Sequence, residues 1–351
     1  LVEGPDRAAA RAMLKAVGFT DEDLAKPLIA VANTWTEIGP CNHNHLRILS
    51  AKIKEGIRRA GGTPMEFNTI SISDGITMGT EGMKASLISR DMIADSIELV
   101  TRANYFDGVI ALASCDKTIP GTIMALLRLD IPGFMLYGGT IAAGDLDGQP
   151  LDVVSVFEAI GKYQKGEYTL EQLKAVEDRA CPGPGACGGQ YTANTMSMVA
   201  EVMGISPAGM NEVPAEDRLK PEVALRAGEL IMQLVAQDLR PSRVVTRQSL
   251  ENAIAAAAAS GGSTNAILHT LAFAREAGLP LTLSDIETIS DRTPILADMR
   301  PTGKYVAEDL YKAGGIRFFT KRLIEGGYLH ADEMTVSGAT LRETVADATE
   351  T

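Results

Sequence analysis

The sequence predicts an α/β fold, in which a mostly parallel sheet is flanked by helices and carries ligand-binding loops at the carboxyl edge of its strands. Three observations indicate this fold. Short apolar runs alternate with helical apolar spacing over residues 27–140, as repeated strand–helix units do. A residue able to bind a metal follows each of the first three predicted strands. The chain has 351 residues, 45% of them hydrophobic, which is long enough for a large core.

The alternating elements occupy the first part of the chain. We predict strands over 27–35, 65–73, 108–114 and 131–139, and helices over 45–62, 90–105 and 122–129. Gly61 and Gly62 are typical of a helix end. Pro120 stands near the first turn of a helix, where proline is tolerated. This alternation predicts helices on both faces of the sheet.

The remainder of the chain is predicted to be mainly helical. Residues 141–180 form a more polar connection with helices over 153–162 and 169–179, and a Gly/Pro-rich loop from Ala180 leads into a helix that reaches Gly204. Further helices are predicted over 222–238, 249–259 and 265–276, followed by a short strand or helix and loops over 281–305. Residues 1–150 and 151–351 are possible subdomains of one α/β domain.

Composition limits the classes of protein to which the chain can belong. A formal net charge of −12 argues against non-specific nucleic-acid binding, which requires a basic surface. The sequence contains no run of 18 apolar residues, so we predict no membrane span. The first residues do not have the pattern of a signal peptide. Four cysteines are too few for a disulfide framework. These features predict a cytoplasmic protein with reduced thiols.

The residues Cys115, Asp116 and Lys117 place a thiol, a carboxylate and an amine side by side, where a strand ends and a helix begins. Cys41 follows the first predicted strand and Asp74 the second. Since parallel strands end at one edge of a sheet, we expect these side chains to converge. Cys187, in the later Gly-rich loop, is a third candidate thiolate.

Three thiolates suit an iron–sulfur cluster or zinc. The sequence contains no Cys-x-x-Cys pair, which argues against structural zinc and against an electron-transfer cluster. A cluster held by three cysteines leaves one iron open as a Lewis acid. Asp74 and Asp116 carry the hard oxygen ligands that Mg²⁺ prefers. The residues therefore indicate a soft cluster beside a hard cation.

Other polar residues have less specific interpretations. Lys117 is most simply a charge partner of the carboxylates, with a base of lowered pKa or a modified residue as alternatives. His45 is expected at the surface or behind the metal ligands, and His269 and His330 as ordinary structural histidines. Cys181 is expected to be a small buried residue. The loop SGGSTN (260–265) either binds a carboxylate or phosphate through its amides or is a plain turn between helices.

Four long segments resemble the IlvD/Edd dehydratase family. They are PCNHNHLR (40–47), SDGITMGTEGMKASLISR (73–90), CDKTIPG (115–121) and GPGACGGQYTANTM (183–196). The resemblance extends to the end of the chain and is strongest to the members that act in branched-chain amino-acid synthesis. It implies that Cys41, Cys115 and Cys187 hold a 2Fe–2S or 4Fe–4S cluster, and that Asp74 and Asp116 bind Mg²⁺. It also implies a carbamylated Lys117 as a further Mg²⁺ ligand, which replaces the charge-partner interpretation.

The implied reaction is the loss of water from a 2,3-dihydroxy acid to give a 2-keto acid, catalysed by a homodimer. Family members continue into a C-terminal β-barrel domain that supplies a serine base and another glutamate ligand, and residues 1–351 end before it. We therefore expect this chain to hold most of the metal ligands but to be inactive alone. The alternatives are a sugar-acid dehydratase of the same family, a non-catalytic iron–sulfur or redox-sensing module, and a structural domain with buried cysteines.

Overall fold

The computed structural model describes residues 2–351, which contain a four-stranded parallel sheet. Its strands are β1 (Leu28–Asn33), β2 (Thr63–Asn68), β3 (Gly108–Ala113) and β4 (Gly133–Tyr137), and a separate antiparallel hairpin consists of β5 (Gly144–Leu146) and β6 (Gln149–Leu151). The helices are α1 (Ala8–Ala16), α2 (Asp21–Leu24), α3 (His45–Arg59), α4 (Asp74–Thr77), α5 (Lys84–Ala103), α6 (Thr118–Leu129), α7 (Val153–Gln164), α8 (Leu170–Ala180), α9 (Thr192–Val202), α10 (Lys220–Gln237), α11 (Pro241–Val244), α12 (Arg247–Ala259), α13 (Asn265–Glu276), α14 (Leu283–Arg292), α15 (Ala307–Lys312), α16 (Gly315–Glu325) and α17 (Leu341–Thr344), with short 3₁₀ turns at Pro5–Arg7 and Glu81–Met83.

The strand order β2-β1-β3-β4 contains a switch point between β1 and β3. From β1 the chain crosses in one direction to β2, and from β2 it returns across the sheet to β3 and then to β4. Because such crossovers are right-handed, α3 lies on one face of the sheet, and α5 and α6 lie on the other. Open α/β sheets bind their ligands at such a point, beyond the carboxyl ends of the strands.

The sheet is covered on both faces. Every residue of β1, β3 and β4 is buried, as is typical of a parallel sheet between two helical layers. Helix α3 packs against α10, and α5 packs against α6. At the first of these contacts a Cβ on Gly56 would lie 2.0 Å from the Leu225 carbonyl oxygen, so only glycine permits this approach of the two backbones.

The predicted sheet and the helices between its strands are confirmed, with different bounds. Strand β2 ends at Asn68 rather than at residue 73, because its partner β1 ends at Asn33, directly opposite. Helix α5 begins at Lys84 and α6 at Thr118, each earlier than predicted. The main hydrophobic cluster runs from Leu28 to Val336 and includes residues of both possible subdomains. The division into subdomains stays a prediction.

Several elements were not predicted. The hairpin β5–β6 interrupts the segment that was expected to be only a connection. Residues 283–292 form a helix, which is one of the two alternatives predicted within 281–305. Helices α15, α16 and α17 fill the last part of the chain. No helix of residues 2–351 has the length and apolar character that a membrane crossing requires.

Candidate metal centre

One cleft of about 730 Å³ at the carboxyl edge of the sheet brings the predicted ligands together. All six of them line it: Cys41, Asp74, Cys115, Asp116, Lys117 and Cys187. They come from the loops after β1, β2 and β3 and from the loop before α9. The convergence expected from the strand order is therefore observed.

Asn42 fastens the three strand loops to one another. Its Oδ1 accepts hydrogen bonds from the Thr34 hydroxyl at 2.9 Å and from the Ser114 backbone N–H at 3.0 Å. Its Nδ2 donates to the Ser71 hydroxyl at 2.8 Å. These bonds hold the loop that bears Cys41 against the two loops that follow β2 and β3. Sequence reasoning missed Asn42, although it lies within the segment that resembles the family.

A tight turn presents Cys115, Asp116 and Lys117 at the end of β3. The Cys115 N–H donates to the Thr118 hydroxyl at 2.9 Å, and α6 begins at that threonine. Pro120 lies in the first turn of α6, where a missing N–H costs nothing because that donor has no helical partner. A Cβ on Gly121 would lie 2.7 Å from the Arg90 carbonyl oxygen, so this glycine lets α5 approach the turn closely.

The loop with Cys187 is held by side chains from β4 and α9. The Cys187 carbonyl accepts hydrogen bonds from the Thr140 hydroxyl at 3.2 Å and from the Asn194 amide. The Tyr137 hydroxyl donates to Asn194 Oδ1 at 2.7 Å, which orients that amide. Cys187 is therefore fixed against the end of the strand that neighbours β3.

The three thiols lie close enough to change one another's proton affinity. Interactions with Cys115 and Cys187, together with burial, raise the pKa of the Cys41 thiol well above its usual value. The hydrogen bond with Cys41 lowers the pKa of Cys187. Residues 2–351 form no disulfide among these cysteines. Three reduced thiols in one pocket are the donor set that an iron–sulfur cluster requires.

The two carboxylates and Lys117 form a buried ion-pair network beside the thiols. Lys117 Nζ lies 2.8 Å from Asp74 Oδ2 and 2.9 Å from Asp116 Oδ1, and the Ser86 hydroxyl donates to Asp74 Oδ1 at 2.7 Å. Burial and the neighbouring Asp116 raise the pKa of Asp74. Burial also raises the pKa of Asp116, but His269, Asp74 and Lys117 outweigh it and hold this pKa at about 2. The unmodified lysine occupies the position of a charge partner.

The residues present fit a soft cluster and a hard cation by the chemistry of their donors. Asp116 Oδ1 is buried and lacks a hydrogen-bond partner, and its ion pair with Lys117 does not have hydrogen-bond geometry. A buried carboxylate oxygen in this condition is suited to a cation. Within residues 2–351, no three Cys, His, Asp or Glu side chains are already arranged around a metal position. The cleft therefore fits these metals in the kinds of donor atom that it contains and in their closeness to one another.

The prediction for Cys181 is wrong, and so is the surface alternative for His45, while a position behind the metal ligands stays a prediction. Cys181 is exposed rather than buried, and it lines the same cleft as the three candidate ligands. His45 is buried rather than at the surface, neither of its ring nitrogens has a hydrogen-bond partner, and burial lowers its pKa to about 4. The aromatic ring of a histidine satisfies helical apolar spacing, so the pattern of α3 gave no sign of polarity at this position.

The other uncertain residues have mixed outcomes. His330 lies away from the cleft, with Nε2 2.8 Å from Glu251 Oε2, as a structural histidine does. His269, which received the same interpretation, is fully buried with Nε2 3.9 Å from Asp116 Oδ1. Gly261 to Asn265 of the small-residue loop line the cleft, and the binding of a carboxylate or phosphate by this loop stays a prediction. The packing of α13 against α6 that brings these residues together involves distant parts of the sequence.

Comparison with known proteins identifies close relatives. Residues 26–344 match the family described as dihydroxy-acid/6-phosphogluconate dehydratase N-terminal. The dihydroxy-acid dehydratase of Roseiflexus castenholzii is 61% identical over the whole chain, which covers 63% of that relative. The dihydroxy-acid dehydratase of Koribacter versatilis is 60% identical over the whole chain, which covers 61% of that relative. The Thermus thermophilus protein of the same name is 51% identical over 99% of the chain, and the alignment covers 62% of that relative.

The chain thus spans less than two thirds of the length of these relatives, although nearly every residue of it aligns with them. The match covers the cleft and all four segments on which the resemblance was based. The identity reaches 61% over the full chain, and the family match spans residues 26–344. The chain therefore belongs to the dihydroxy-acid/6-phosphogluconate dehydratase family and corresponds to the N-terminal part of its members.

Proposed function

We propose that this chain is the cluster- and metal-binding part of a dehydratase that converts a 2,3-dihydroxy carboxylic acid into a 2-keto acid. The observation that carries the proposal is the single cleft that contains three reduced thiols beside two buried carboxylates and Lys117. Relatives named dihydroxy-acid dehydratase, up to 61% identical, support the substrate class. We assign the protein to branched-chain amino-acid synthesis in the cytoplasm, as a homodimer.

In this proposal Cys41, Cys115 and Cys187 hold an iron–sulfur cluster, and Asp74, Asp116 and a carbamylated Lys117 hold Mg²⁺. When bound, these groups supply a Lewis-acidic iron for the departing 3-hydroxyl and a cation for the carboxylate and the 2-hydroxyl of the substrate. Two carboxylates and a carbamate would place three negative charges around the doubly positive cation, which favours its binding. An ammonium at the same position would oppose it, so the lysine must lose its positive charge for Mg²⁺ to bind there.

The remaining residues of the cleft define its shape and exclude water from it. The small residues Gly261 and Gly262 and the polar residues Ser263 to Asn265 line one wall, where backbone amides and hydroxyls are available to an anionic substrate. Apolar side chains of Ile76, Met78 and Phe157 also line the cleft and exclude water when a substrate fills it. We assign the proton acceptor for C2 to no residue described in this structure.

The test of this function is an anaerobic absorption and EPR spectrum of the chain, with iron and sulfide counts. We expect a coloured protein whose iron and sulfide disappear in Cys115→Ser. Cys181→Ser is the matched control, because this thiol lines the same cleft but is exposed, and it should retain the cluster. A colourless chain that cannot be reconstituted, or equal loss in both variants, would contradict the proposed cluster ligands.

A further inference from the structure

Unsatisfied polar atoms are concentrated at one place in the buried interior. Among residues 2–351, six buried side-chain nitrogen or oxygen atoms lack a hydrogen-bond partner. Three of the six belong to one connected group: Arg90 Nε, His269 Nε2 and Asp116 Oδ1. Because native interiors rarely leave such atoms unpaired, a group of three calls for a physical explanation.

Arg90 determines which nitrogen of His269 carries the proton. Its Nη1 lies 3.4 Å from His269 Nδ1, and a guanidinium group only donates hydrogen bonds. Nδ1 must therefore present its lone pair, which leaves the proton of the neutral ring on Nε2. This makes the second nitrogen of His269 a donor.

The Nε2 donor faces the carboxylate of Asp116. Nε2 lies 3.9 Å from Asp116 Oδ1, and each of these two atoms is buried without a hydrogen-bond partner. A donor and an acceptor that face each other at this distance are too close for an intervening water. Asp116 Oδ1 has its ion pair with Lys117, but the Nε2–H has no acceptor, which costs roughly 1–3 kcal/mol. A small rotation of the carboxylate would supply one.

We propose that His269 is a positioning residue, whose Nε2–H holds Asp116 in the orientation needed for a divalent cation, with Arg90 fixing the tautomer. The inference rests on the proposed function of Asp116 as a metal ligand. Groups behind a metal ligand commonly orient it in this way. The cluster, the substrate and the reaction do not enter the argument.

The three residues that make these contacts lie on three elements that pack together. Arg90 lies on α5, His269 on α13, and Asp116 in the turn that leads into α6. Helix α6 packs against both α5 and α13. Because His269 is fully buried and Arg90 nearly so, neither side chain can leave the arrangement without disturbing the packing.

A pair of substitutions separates positioning from packing. In His269→Gln the side-chain amide nitrogen occupies a position similar to Nε2 and retains a donor toward Asp116. In His269→Asn the amide nitrogen corresponds to Nδ1, and the donor toward Asp116 is lost. Both variants replace a buried ring with a smaller amide, so a purely structural role predicts similar behaviour.

The first readout is the tautomer in the metal-free protein, from ring ¹⁵N chemical shifts of histidine-labelled chain. His269→Gln identifies the resonances of residue 269 by their disappearance. We expect the neutral form protonated at Nε2, and loss of the preference for this tautomer in Arg90→Met. A ring protonated at Nδ1 in the unsubstituted chain, or protonated at both nitrogens near pH 8, would overturn the inference.

The second readout is the binding of Mn²⁺, followed by its EPR signal as a probe of the divalent site. We expect His269→Asn to weaken binding by about tenfold and His269→Gln to stay near the unsubstituted chain. Equal affinities in all three proteins, or equal loss in both variants, would contradict the positioning role. Absence of Mn²⁺ binding in the unsubstituted chain would contradict the proposed function instead, and the tautomer would still test the orientation.

Discussion

The chain contains two buried clusters with the same composition, two carboxylates and one lysine, and they are built in opposite ways. In the cleft, Lys117 forms ion pairs with Asp74 and Asp116 at 2.8 and 2.9 Å. The second cluster consists of Glu201, Glu212 and Lys220. There the fully buried Lys220 Nζ donates to the Met210 carbonyl at 3.1 Å and forms no ion pair in the described chain.

The difference lies in what satisfies the carboxylates. Glu201 accepts backbone hydrogen bonds from Gly209 at 3.0 Å and from Asn211 at 2.5 Å, and the Arg317 backbone N–H donates to Glu212 at 3.2 Å. Asp116 Oδ1, in contrast, has no hydrogen-bond partner. A buried carboxylate that the backbone satisfies fixes loops, whereas one that is held beside a cleft by an ion pair, without a backbone hydrogen bond, is available to a ligand.

The largest expected effect is the loss of stability when the backbone-satisfied carboxylate is removed. Glu201→Ala leaves two buried N–H groups without acceptors and opens a cavity, so we expect a loss of about 4 kcal/mol in the free energy of unfolding. Asp116→Asn removes one of the two ion pairs of Lys117 but no backbone hydrogen bond, so we expect a smaller loss, of about 2 kcal/mol. Urea unfolding of both variants measures the difference.

The same pair of variants separates the two roles in a second assay. Mn²⁺ binding should be lost in Asp116→Asn and retained by the folded fraction of Glu201→Ala. If Asp116→Asn proved the less stable of the two, the distinction between a structural and a ligand-binding cluster would be wrong.

The sequence predicted the cleft better than it predicted the second cluster. Cys41, Asp74 and Cys115 each follow a strand, so the topology of a parallel sheet was enough to bring them together. Glu201 lies in a helix and Lys220 at the start of another, where charged residues are usually exposed. Their burial depends on how segments far apart in the sequence pack together, which a local sequence pattern does not show.

Local signals were present for some of the missed elements. Asp147 and Gly148 both have positive φ, of 54° and 79°, at the turn of the β5–β6 hairpin, and Asp-Gly is a strong hairpin signal. The strands beside it have only three residues each, which is too short for an alternating pattern. His269 carried no signal at all, because its role depends on Arg90 and Asp116 from two other elements.

The next effect concerns the charge of the two lysines. If Lys117 is carbamylated and binds the cation, Lys117→Met should weaken Mn²⁺ or Mg²⁺ binding by at least about tenfold, which corresponds to about 1.4 kcal/mol. Removal of dissolved carbon dioxide should weaken binding in the unsubstituted chain as well. Lys220→Met is the matched control and should bind the cation normally. Isothermal titration calorimetry measures all three.

The opposite result would be equally informative. As an ammonium, Lys117 repels a cation and neutralises the two carboxylates, so its removal would strengthen divalent binding. Tighter binding in Lys117→Met, with no dependence on carbon dioxide, would establish the lysine as a charge partner and contradict carbamylation.

The last effect is a pH dependence that belongs to the second cluster. Burial lowers the pKa of Lys220 from 10.5 to about 7, although Glu201, Glu212 and Asp217 oppose the shift. Between these two values the unfolded chain binds a proton at this lysine that the folded chain does not bind. The contribution of Lys220 to stability therefore rises with pH, by at most about 1.4 kcal/mol per pH unit.

Lys220→Met removes this titration and leaves a side chain of similar length at the same buried position. From about pH 8 to about pH 10, the unfolding free energy of the unsubstituted chain should increase relative to the variant. The raised pKa of Glu201, about 8, gives the opposite slope mainly below this window. A difference between the two proteins that stays constant with pH would mean that Lys220 remains charged in the fold. The second cluster would then depend on ionic attraction, as the cleft does, and the contrast between the two clusters would be smaller than their hydrogen bonds indicate.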